Sequence, residues 1–251
     1  MRVNRLNEME QYVLRNGTAS LEDLADTFQI SLNTVRRDVD VLLERGSICK
    51  TYGGVVSLES AGPVPMAVRA SKNKSGKRKI GLLASDLVRD GQTIFLDSGS
   101  TVLGLLPYLG GRRGITVVTH SLAALYEASR YPNLAMIALS GIYSPPTNSY
   151  VGDSTLRALE RISVDTAFVA ATGVSLDRGL TNATSVEAEI KRRVARRAKN
   201  VVLLADHTKF GSVSAVPFYD FDCLSAVVTD EAPSAPYLKV MERRHIQLLC
   251  G

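Results

Sequence analysis

One stretch near the amino terminus most constrains what this chain can fold into: SLNTVRRDVDVLLERG, residues 31–46. Ser31 is a favoured N-cap, and Gly46 is a residue type that often follows the last turn of a helix. At 3.6 residues per turn, the apolar residues of this stretch share one side. We therefore predict an amphipathic helix whose buried side carries Leu32, Val35, Val39, Leu42 and Leu43.

The opposite side of this predicted helix changes its chemistry along its length. The first half carries Asn33 and Arg37, which can donate hydrogen bonds to base edges or phosphates. The second half carries Asp40 and Glu44, which DNA phosphates repel. A helix whose first turns enter the major groove, with its far end lifted away, satisfies both halves. The predicted DNA contacts on this helix are Ser31, Asn33, Thr34, Arg36 and Arg37.

The rest of residues 1–59 supplies the other parts of a winged helix-turn-helix. Residues 4–15 carry apolar residues at helical spacing, and residues 20–23 form a capping-box start for a second short helix. After residue 46, SICKTYGGVVSLE alternates apolar and polar residues around two glycines, which is typical of a two-stranded hairpin. A generic small helical domain is the weaker alternative, because it does not explain arginines opposite a continuous apolar stripe.

The predicted hairpin adds a second set of DNA contacts. Lys50 and Tyr52 lie beside Gly53, where a backbone without a side chain can approach a phosphate or enter the minor groove. Residues 1–60 hold 7 Lys and Arg against 9 Asp and Glu. The prediction of DNA binding therefore depends on which face carries the arginines, and not on the net charge of the domain.

The composition excludes several other classes of protein. No apolar run is long enough to span a bilayer, and residues 1–17 lack the apolar core of a signal peptide. The three cysteines are odd in number and widely spaced, which excludes a disulfide framework and gives no metal-ligand spacing. We expect a cytoplasmic protein without a metal or a cofactor. The net charge of +5 mildly favours an anionic partner.

Two basic segments hold the excess of positive charge. Residues 61–65 contain a glycine and two prolines that break secondary structure, and SKNKSGKRK follows soon after without an acidic residue. We interpret residues 60–79 as a hinge that either lies against DNA phosphates or is a solvated linker. For residues 191–199, a solvated charged surface is the favoured interpretation.

From residue 80 the pattern changes to apolar strands that alternate with helical stretches. Such alternation predicts an α/β domain, residues 80–251, with a mostly parallel sheet. Ligands of these sheets bind beyond the carboxyl ends of the strands. The predicted strands are residues 93–96, 115–119, 134–139, 166–171, 200–205, 225–229 and 246–249.

The loops after five of these strands are rich in Gly, Ser and Thr, each with a charged or other polar side chain. Small residues let backbone N–H groups approach an anion, and the hydroxyls add donors. This recurrence predicts a pocket for a polyhydroxylated anionic effector. The predicted effector-binding residues are Asp97, Ser98, Gly99, Ser100, Thr101, His120, Ser121, Gly141, Tyr143, Thr172, Gly173, Asp206 and Lys209.

Within this pocket we assign separate roles. A phosphate is expected to accept hydrogen bonds from the N–H groups of residues 97–101 and from the hydroxyls of Ser98, Ser100 and Thr101. Lys209, from another strand end, supplies the countercharge. Asp97 is repelled by a phosphate, so we expect it to accept hydrogen bonds from sugar hydroxyls.

Both halves of the chain resemble the DeoR family of bacterial transcription regulators. The similarity rests on SLNTVRRDVDVLLERGSICKTYGGV and on IFLDSGST, LSGIYSPPTNSYVG and LLADHTKFG, in the family's order and over nearly the whole chain. The resemblance implies a winged helix-turn-helix joined to a sensor domain similar to ribose-5-phosphate isomerase. Such a domain binds a phosphorylated sugar or polyol metabolite, which usually weakens DNA binding.

The resemblance also assigns residues, and two loops depart from it. It places the phosphate-binding loop at residues 97–101 and the family's lysine at Lys209. Residues 119–121 read Thr-His-Ser where the family more often has a central asparagine, and residues 171–174 lack the acidic pair of the related enzymes. The amino-terminal half is most similar to repressors of myo-inositol catabolism.

Two functions from different classes follow. The first is a repressor that binds double-stranded operator DNA as a homodimer or homotetramer, because paired half-sites multiply the specificity of one short helix. It needs no membrane and no catalytic residue. The second is a sugar-phosphate isomerase with an appended DNA-binding module, for which Asp97, Glu187 and His120 are among the candidate acids and bases. The missing acidic pair at residues 171–174 favours the repressor.

Overall fold

The computed structural model describes residues 2–16, 18–45, 47–51, 54–57 and 64–251, with the backbone alone at 2–3, 49–51 and 56–57. Tyr52, a predicted wing contact, lies outside the described residues, and so does the side chain of Lys50. The chain divides into two compact units, residues 1–69 and 70–251. Among the described residues, no helix has both the length and the apolar character needed to cross a bilayer.

The first unit combines three helices with a small antiparallel sheet, in the order β1-β3-β2. Strand β1 was not predicted, because three residues are too few to show an alternating pattern. It lies between the first two helices and pairs with β3, so the wing is three-stranded and not a simple hairpin. The elements are α1 Arg2–Asn16, β1 Thr18–Ser20, α2 Leu21–Phe28, α3 Leu32–Arg45, β2 Ile48–Thr51 and β3 Gly54–Ser57.

The buried stripe of α3 confirms the predicted amphipathic helix with one correction. Val35, Val39 and Leu42 are buried in the core of this unit together with residues of α1 and α2. Leu32 is the first helical residue and is 37% exposed, so the buried stripe begins one turn later than predicted. The capping box that starts α2 is also present, with Ser20 and Asp23 each bonded to the other's backbone.

The predicted hinge contains regular structure. Helix α4 spans Met66–Ser71, and a second helix, α5, begins at Lys74 and ends at Ser85. Asn73 adopts the left-handed conformation before α5 and caps it by accepting a hydrogen bond from the N–H of Gly76. Lys77 and Ile80 are both buried on the inner side of α5. We had expected residues 60–79 to form an irregular hinge. Residues 66–71 and 74–79 are helical instead, and part of this segment is buried.

The second unit is built on the seven strands that the sequence predicts. They pair in the order β15-β14-β12-β9-β4-β5-β6, and every pairing is parallel. The elements after α5 are β4 Thr93–Leu96, β5 Thr116–Thr119, α6 Leu122–Ala128, β6 Ala135–Ala138, β7 Ile142–Ser144, β8 Ser149–Val151, α7 Asp153–Leu159, β9 Val164–Val169, β10 Gly173–Ser175, β11 Gly179–Asn182, α8 Ser185–Ala195, β12 Ala198–Leu204, β13 Val216–Tyr219, β14 Ala226–Thr229, α9 Ala235–Arg243 and β15 Gln247–Cys250.

Both faces of the central sheet are buried. Phe95 belongs to one apolar cluster, whereas Ile94 and Leu96 belong to the cluster on the other face. Successive side chains of a strand point to opposite faces, so a central strand of a parallel sheet must be apolar throughout. Two small antiparallel sheets, β7-β8 and β10-β11-β13, were not predicted.

Candidate effector site and DNA-binding face

The centre of the large sheet is the point where its strand order reverses. From β4 the chain proceeds outward through β5 and β6, whereas from β9 it proceeds outward on the other side through β12, β14 and β15. In open α/β sheets, the crevice beyond the carboxyl ends of the strands at such a switch point is the usual ligand site. Residues 97–101 follow β4 directly and therefore lie at this position.

Asp97, the first residue of this loop, is completely buried and directed into the protein. Its Oδ2 accepts hydrogen bonds from Lys191 Nζ at 2.6 Å and from the N–H of Ala170 at 3.0 Å. Burial opposes ionisation, but the charge of Lys191 and the contact with His120 hold the pKa of Asp97 well below its ordinary value. The predicted role in accepting sugar hydroxyls is therefore wrong for the observed side-chain position.

Lys191 is the residue that the sequence placed in a solvated basic segment. It lies on α8 and is 3% exposed. Its ammonium group donates to Asp97 Oδ2 and to the carbonyl of Ala170, both at 2.6 Å, and lies 5.2 Å from the centre of the Phe218 ring. The interpretation of residues 191–199 as a solvated surface is thus wrong at Lys191.

Ser98 is also bound within the protein. Its hydroxyl donates to Glu187 Oε1 at 3.1 Å, and Glu187 Oε2 accepts from Asn182 and Thr184. The hydroxyl predicted to contact a phosphate is therefore already paired with α8. Glu187 was considered only as a possible catalytic acid, and no local pattern marked it as a partner of this loop.

Gly99 is small for a reason other than ligand access. A Cβ added to Gly99 would lie 2.3 Å from the Cβ of Ala170, so the loop packs directly against the end of β9. Replacing Gly99 by a branched residue would disturb the sheet before it could test anion binding. The segment that follows is a 3-10 helix, Val102–Tyr108.

Ser100 is the loop residue that faces open space. It lines a cavity of about 790 Å³ together with three cationic side chains, Lys74, Lys77 and Arg78, from α5. Lys77 is 7% exposed and donates to the carbonyl of Lys72 at 2.7 Å. Among the predicted effector residues, Ser100 is the one that lines this cavity. The remaining lining includes Leu103, Tyr108, Leu122, Tyr126, Glu127 and Asn148.

The α5 cations are functional candidates that the sequence analysis assigned to a hinge. The sequence feature that could have indicated them is the run SKNKSGKRK, which has no acidic residue. We interpreted it as a segment that either contacts DNA phosphates or is solvated. Helix formation brings Lys74, Lys77 and Arg78 to one side of the helix, because these positions lie three or four residues apart. They line the same cavity as Ser100, so a source of positive charge shares a cavity with the predicted phosphate loop.

The two predicted residues after β5 are structural in their observed positions. His120 and Ser121 are completely buried. The His120 ring stacks on Phe95 and places Nδ1 3.0 Å from the carbonyl of Tyr150, while Nε2 lies 3.5 Å from Asp97 Oδ1. Ser121 caps α6 by accepting a hydrogen bond from the N–H of Ala124. Their placement positions the loops after β4 and β5 against each other.

Tyr143 and Thr172 have exposed positions with local hydrogen bonds. The Tyr143 hydroxyl donates to Asn148, a residue that lines the cavity, and the Thr172 hydroxyl donates to Asn182. Gly141 and Gly173 are packing positions, since a Cβ at either would lie 2.4 Å from a neighbouring oxygen.

Asp206 and Lys209 follow β12, as predicted. The Asp206 carboxylate accepts hydrogen bonds from Thr208 and caps the short 3-10 helix His207–Lys209. The Lys209 ammonium group has no hydrogen-bond or ion-pair partner among the described residues, and no such contact connects it to residues 97–101. Its role as the countercharge of the phosphate remains a prediction, whereas the α5 cations lie beside the loop.

The side of α3 that we predict to contact DNA has the expected exposure. Asn33, Arg36 and Arg37 are exposed, and Arg36 Nη1 lies 3.5 Å from Asn33 Oδ1. Ser31 caps the helix, since its side-chain oxygen accepts a hydrogen bond from the N–H of Thr34 and lies 3.0 Å from the Thr34 hydroxyl.

An ion pair that the sequence analysis missed fixes the inner side of this helix. Asp38 is 1% exposed and pairs with Arg5 of α1 at 2.7 Å. This contact ties the helix with the predicted base-reading residues to α1, and its partners are 33 residues apart in the sequence. No local pattern indicates such a pairing, because the apolar stripe predicts hydrophobic neighbours on this side.

A helix-turn-helix unit with a strand-built wing, followed by an α/β domain with a ligand crevice at its switch point, defines a ligand-responsive DNA-binding regulator. Residues 5–61 match the DeoR-like helix-turn-helix domain, and residues 72–231 match the DeoR C terminal sensor domain. The chain belongs to the DeoR family of transcriptional regulators.

Named relatives agree with this assignment. The chain is 38% identical to the HTH-type transcriptional regulator IolR of Bacillus subtilis, over 98% of both chains. It is 33% identical to the HTH-type transcriptional regulator GolR of Listeria innocua, over 90% of this chain and 89% of the relative. Among solved structures, ribose 5-phosphate isomerase A of Methanocaldococcus jannaschii is similar over 55% of each chain, with 23% identity and a TM-score of 0.42. The relatives are regulators, so the isomerase alternative is not retained.

Proposed function

We propose that this protein represses a carbohydrate or polyol catabolic operon and that a phosphorylated sugar-like effector relieves the repression. The observation that supports this most directly is the cavity that is lined by Ser100 and by three cationic residues of α5. A phosphate dianion matches that charge, and the hydroxyl adds a donor. The similarity of the amino-terminal half to repressors of myo-inositol catabolism favours an inositol-pathway intermediate as the effector.

The cavity also suits the carbon skeleton of such an effector. Its volume of about 790 Å³ falls within the ordinary range for small-molecule sites. Tyr108 and Tyr126 combine apolar ring surface with hydroxyls, and Asn148 supplies an amide. These groups are suited to the alternating C–H and O–H surface of a sugar or polyol. Glu127 adds one carboxylate acceptor for hydroxyls.

A thermal-shift screen of phosphorylated sugars and polyols, each beside its unphosphorylated counterpart, tests the proposed effector class. A ligand at a hundredfold excess over its Kd adds about 2.7 kcal/mol to the free energy of unfolding. We expect stabilisation by a phosphorylated compound and none by its counterpart. If no phosphorylated compound stabilises the protein, or if both members of a pair stabilise it equally, the assignment of a phosphate subsite fails.

A matched pair of lysine variants tests the location of the subsite. Lys77→Met removes the ammonium group of a buried residue that lines the cavity, whereas Lys72→Met removes an exposed one that does not line it. We expect Lys77→Met to bind operator DNA normally and to lose its response to the effector identified by the screen. Lys72→Met should respond as the wild type does. Normal release from DNA by Lys77→Met would place the phosphate elsewhere.

The DNA-binding half of the proposal concerns symmetry. One short recognition helix reads few base pairs, so we propose that a homodimer or homotetramer binds a pseudo-palindromic operator with half-sites about one helical turn apart or a multiple of it. Footprinting on the upstream region of the regulated operon, with and without effector, tests this. A single protected half-site would contradict the symmetric mode.

A further inference from the structure

Helix α8 carries two buried ionisable side chains, Glu187 and Lys191, that the cavity does not use. They lie four residues apart and therefore on the same side of the helix. Each binds one residue of the loop after β4: Glu187 accepts from Ser98, and Lys191 donates to Asp97. Neither lines the cavity beside Ser100.

The carboxylate of Glu187 joins three parts of the structure. Oε1 accepts from Ser98 in the loop, and Oε2 accepts from Asn182 Nδ2 at 3.0 Å and from the Thr184 hydroxyl at 3.2 Å. Thr184 is the N-cap of α8 and also accepts a hydrogen bond from the N–H of Glu187. The start of α8, the end of β11 and the loop are thus one hydrogen-bonded network.

Lys191 connects the two strands that flank the switch point. Its ammonium group contacts Asp97 after β4 and the carbonyl of Ala170 after β9. The same Ala170 packs against Gly99 and donates its N–H to Asp97. Burial of the Lys191 ammonium group has a large desolvation cost, and these contacts offset it. The first three residues of the loop are therefore held by α8 and β9.

We propose that Glu187 and Lys191 are positioning residues for effector binding. By holding Ser98 and Asp97 towards α8, they direct Ser100 into the cavity and orient the N–H groups of the loop. This inference rests on the proposed function, since it assumes that the loop binds the anion. It makes effector affinity depend on a helix that does not line the cavity.

Exchange of the hydrogen-bond polarity between Glu187 and Asn182 tests the proposal. Glu187→Gln leaves one side-chain oxygen for the three donors Ser98, Asn182 and Thr184, so either Ser98 loses its acceptor or an amide NH2 faces the NH2 of Asn182. The double variant Asn182→Asp/Glu187→Gln restores a donor and an acceptor, and position 182 keeps an oxygen for Thr172. Inorganic phosphate is the probe, and its Kd is measured by ³¹P line broadening at constant ionic strength.

We expect the wild type to bind phosphate and Glu187→Gln to bind it about tenfold more weakly. The double variant should recover to within about twofold, because it restores the bond. Ser98→Ala should also bind more weakly, and adding Glu187→Gln to it should cause little further loss, because Glu187 acts through Ser98. If Glu187 had a merely structural role, the losses of phosphate affinity in Glu187→Gln and Ser98→Ala would add. The double variant Asn182→Asp/Glu187→Gln would then not recover the affinity.

Four results would overturn the inference. Unchanged phosphate affinity in Glu187→Gln, or losses that add with those of Ser98→Ala, would show that Glu187 does not act through the loop. If Glu187→Gln does not fold, an unchanged affinity in Ser98→Ala overturns it in the same way. Absence of phosphate binding by the wild type would overturn the proposed function itself, and the inference with it.

Discussion

Lys191 Nζ lies 2.6 Å from Asp97 Oδ2, and 94 residues separate these two almost completely buried side chains. The pair connects α8 to the carboxyl end of β4, one of the two neighbouring strands, β4 and β9, between which the strand order reverses. A buried ion pair of this kind is costly to break from one side only. Its position suggests that it determines the shape of the loop that follows.

Lys191→Met should destabilise the protein strongly, because it leaves Asp97 as a buried carboxylate without a countercharge. We expect a loss of about 3–5 kcal/mol in the free energy of unfolding. Asp97→Asn/Lys191→Met removes both charges and should recover much of that loss. Urea denaturation of the single and double variants measures this coupling.

Lys199→Met is the matched control for that experiment. Lys199 belongs to the same basic segment but is 74% exposed, and it pairs with Asp165 at the surface. Its loss should change the free energy of unfolding by no more than about 1 kcal/mol. Equal effects at positions 191 and 199, or simple additivity of the Asp97 and Lys191 losses, would contradict a buried and coupled pair.

His207 gives a prediction about pH. Its hydrogen bond with Asp230, at 3.0 Å, raises the pKa of His207 above its ordinary value of 6.5, and Glu231 and Asp206 add to the effect. The stabilisation is therefore fully present below pH 6.5 and is lost as the pH rises through the raised pKa. The difference in unfolding free energy between wild type and His207→Gln should shrink from pH 5.5 to pH 8.5, as measured by urea denaturation on a pH series from about 5 to 9. A difference that grows with pH would contradict the assignment.

Arg37→Ala should reduce sequence discrimination. Arg37 is centred on the exposed side of α3, and arginine is suited to guanine. We expect a loss of about 1–3 kcal/mol on the cognate operator and little loss on random DNA, measured by competition gel shift. Arg36→Ala should weaken binding to both DNAs alike. If Arg37→Ala lowers both affinities equally, Arg37 contacts only phosphates.

Lys50→Gln tests the wing. Lys50 lies on β2 next to the tip of the predicted hairpin. If it contacts a phosphate, its replacement lowers operator affinity and reduces the slope of log K against log salt by about one unit. Titrations at four or more salt concentrations measure the slope. An unchanged slope would place the wing away from the DNA.

The sequence by itself determined the parts that depend on local periodicity. The stripe of Val35, Val39 and Leu42 specifies α3 because a helix repeats every 3.6 residues, and the apolar runs specify the seven strands because both faces of a parallel sheet are buried. The position of residues 97–101 at a strand's carboxyl end follows from the same alternation. Each of these features needs only neighbours in the chain.

Tertiary structure alone decided which polar groups face the cavity. Asp97 and Ser98 are small polar residues in a loop of ligand-binding character, but they point towards Lys191 and Glu187, which lie 94 and 89 residues away. Lys191 lies in a basic segment whose composition indicates solvent, yet it is buried because Asp97 and the carbonyl of Ala170, both distant in the sequence, accept its hydrogen bonds. A charged side chain is buried when a distant residue compensates its desolvation, and no local pattern encodes that partner.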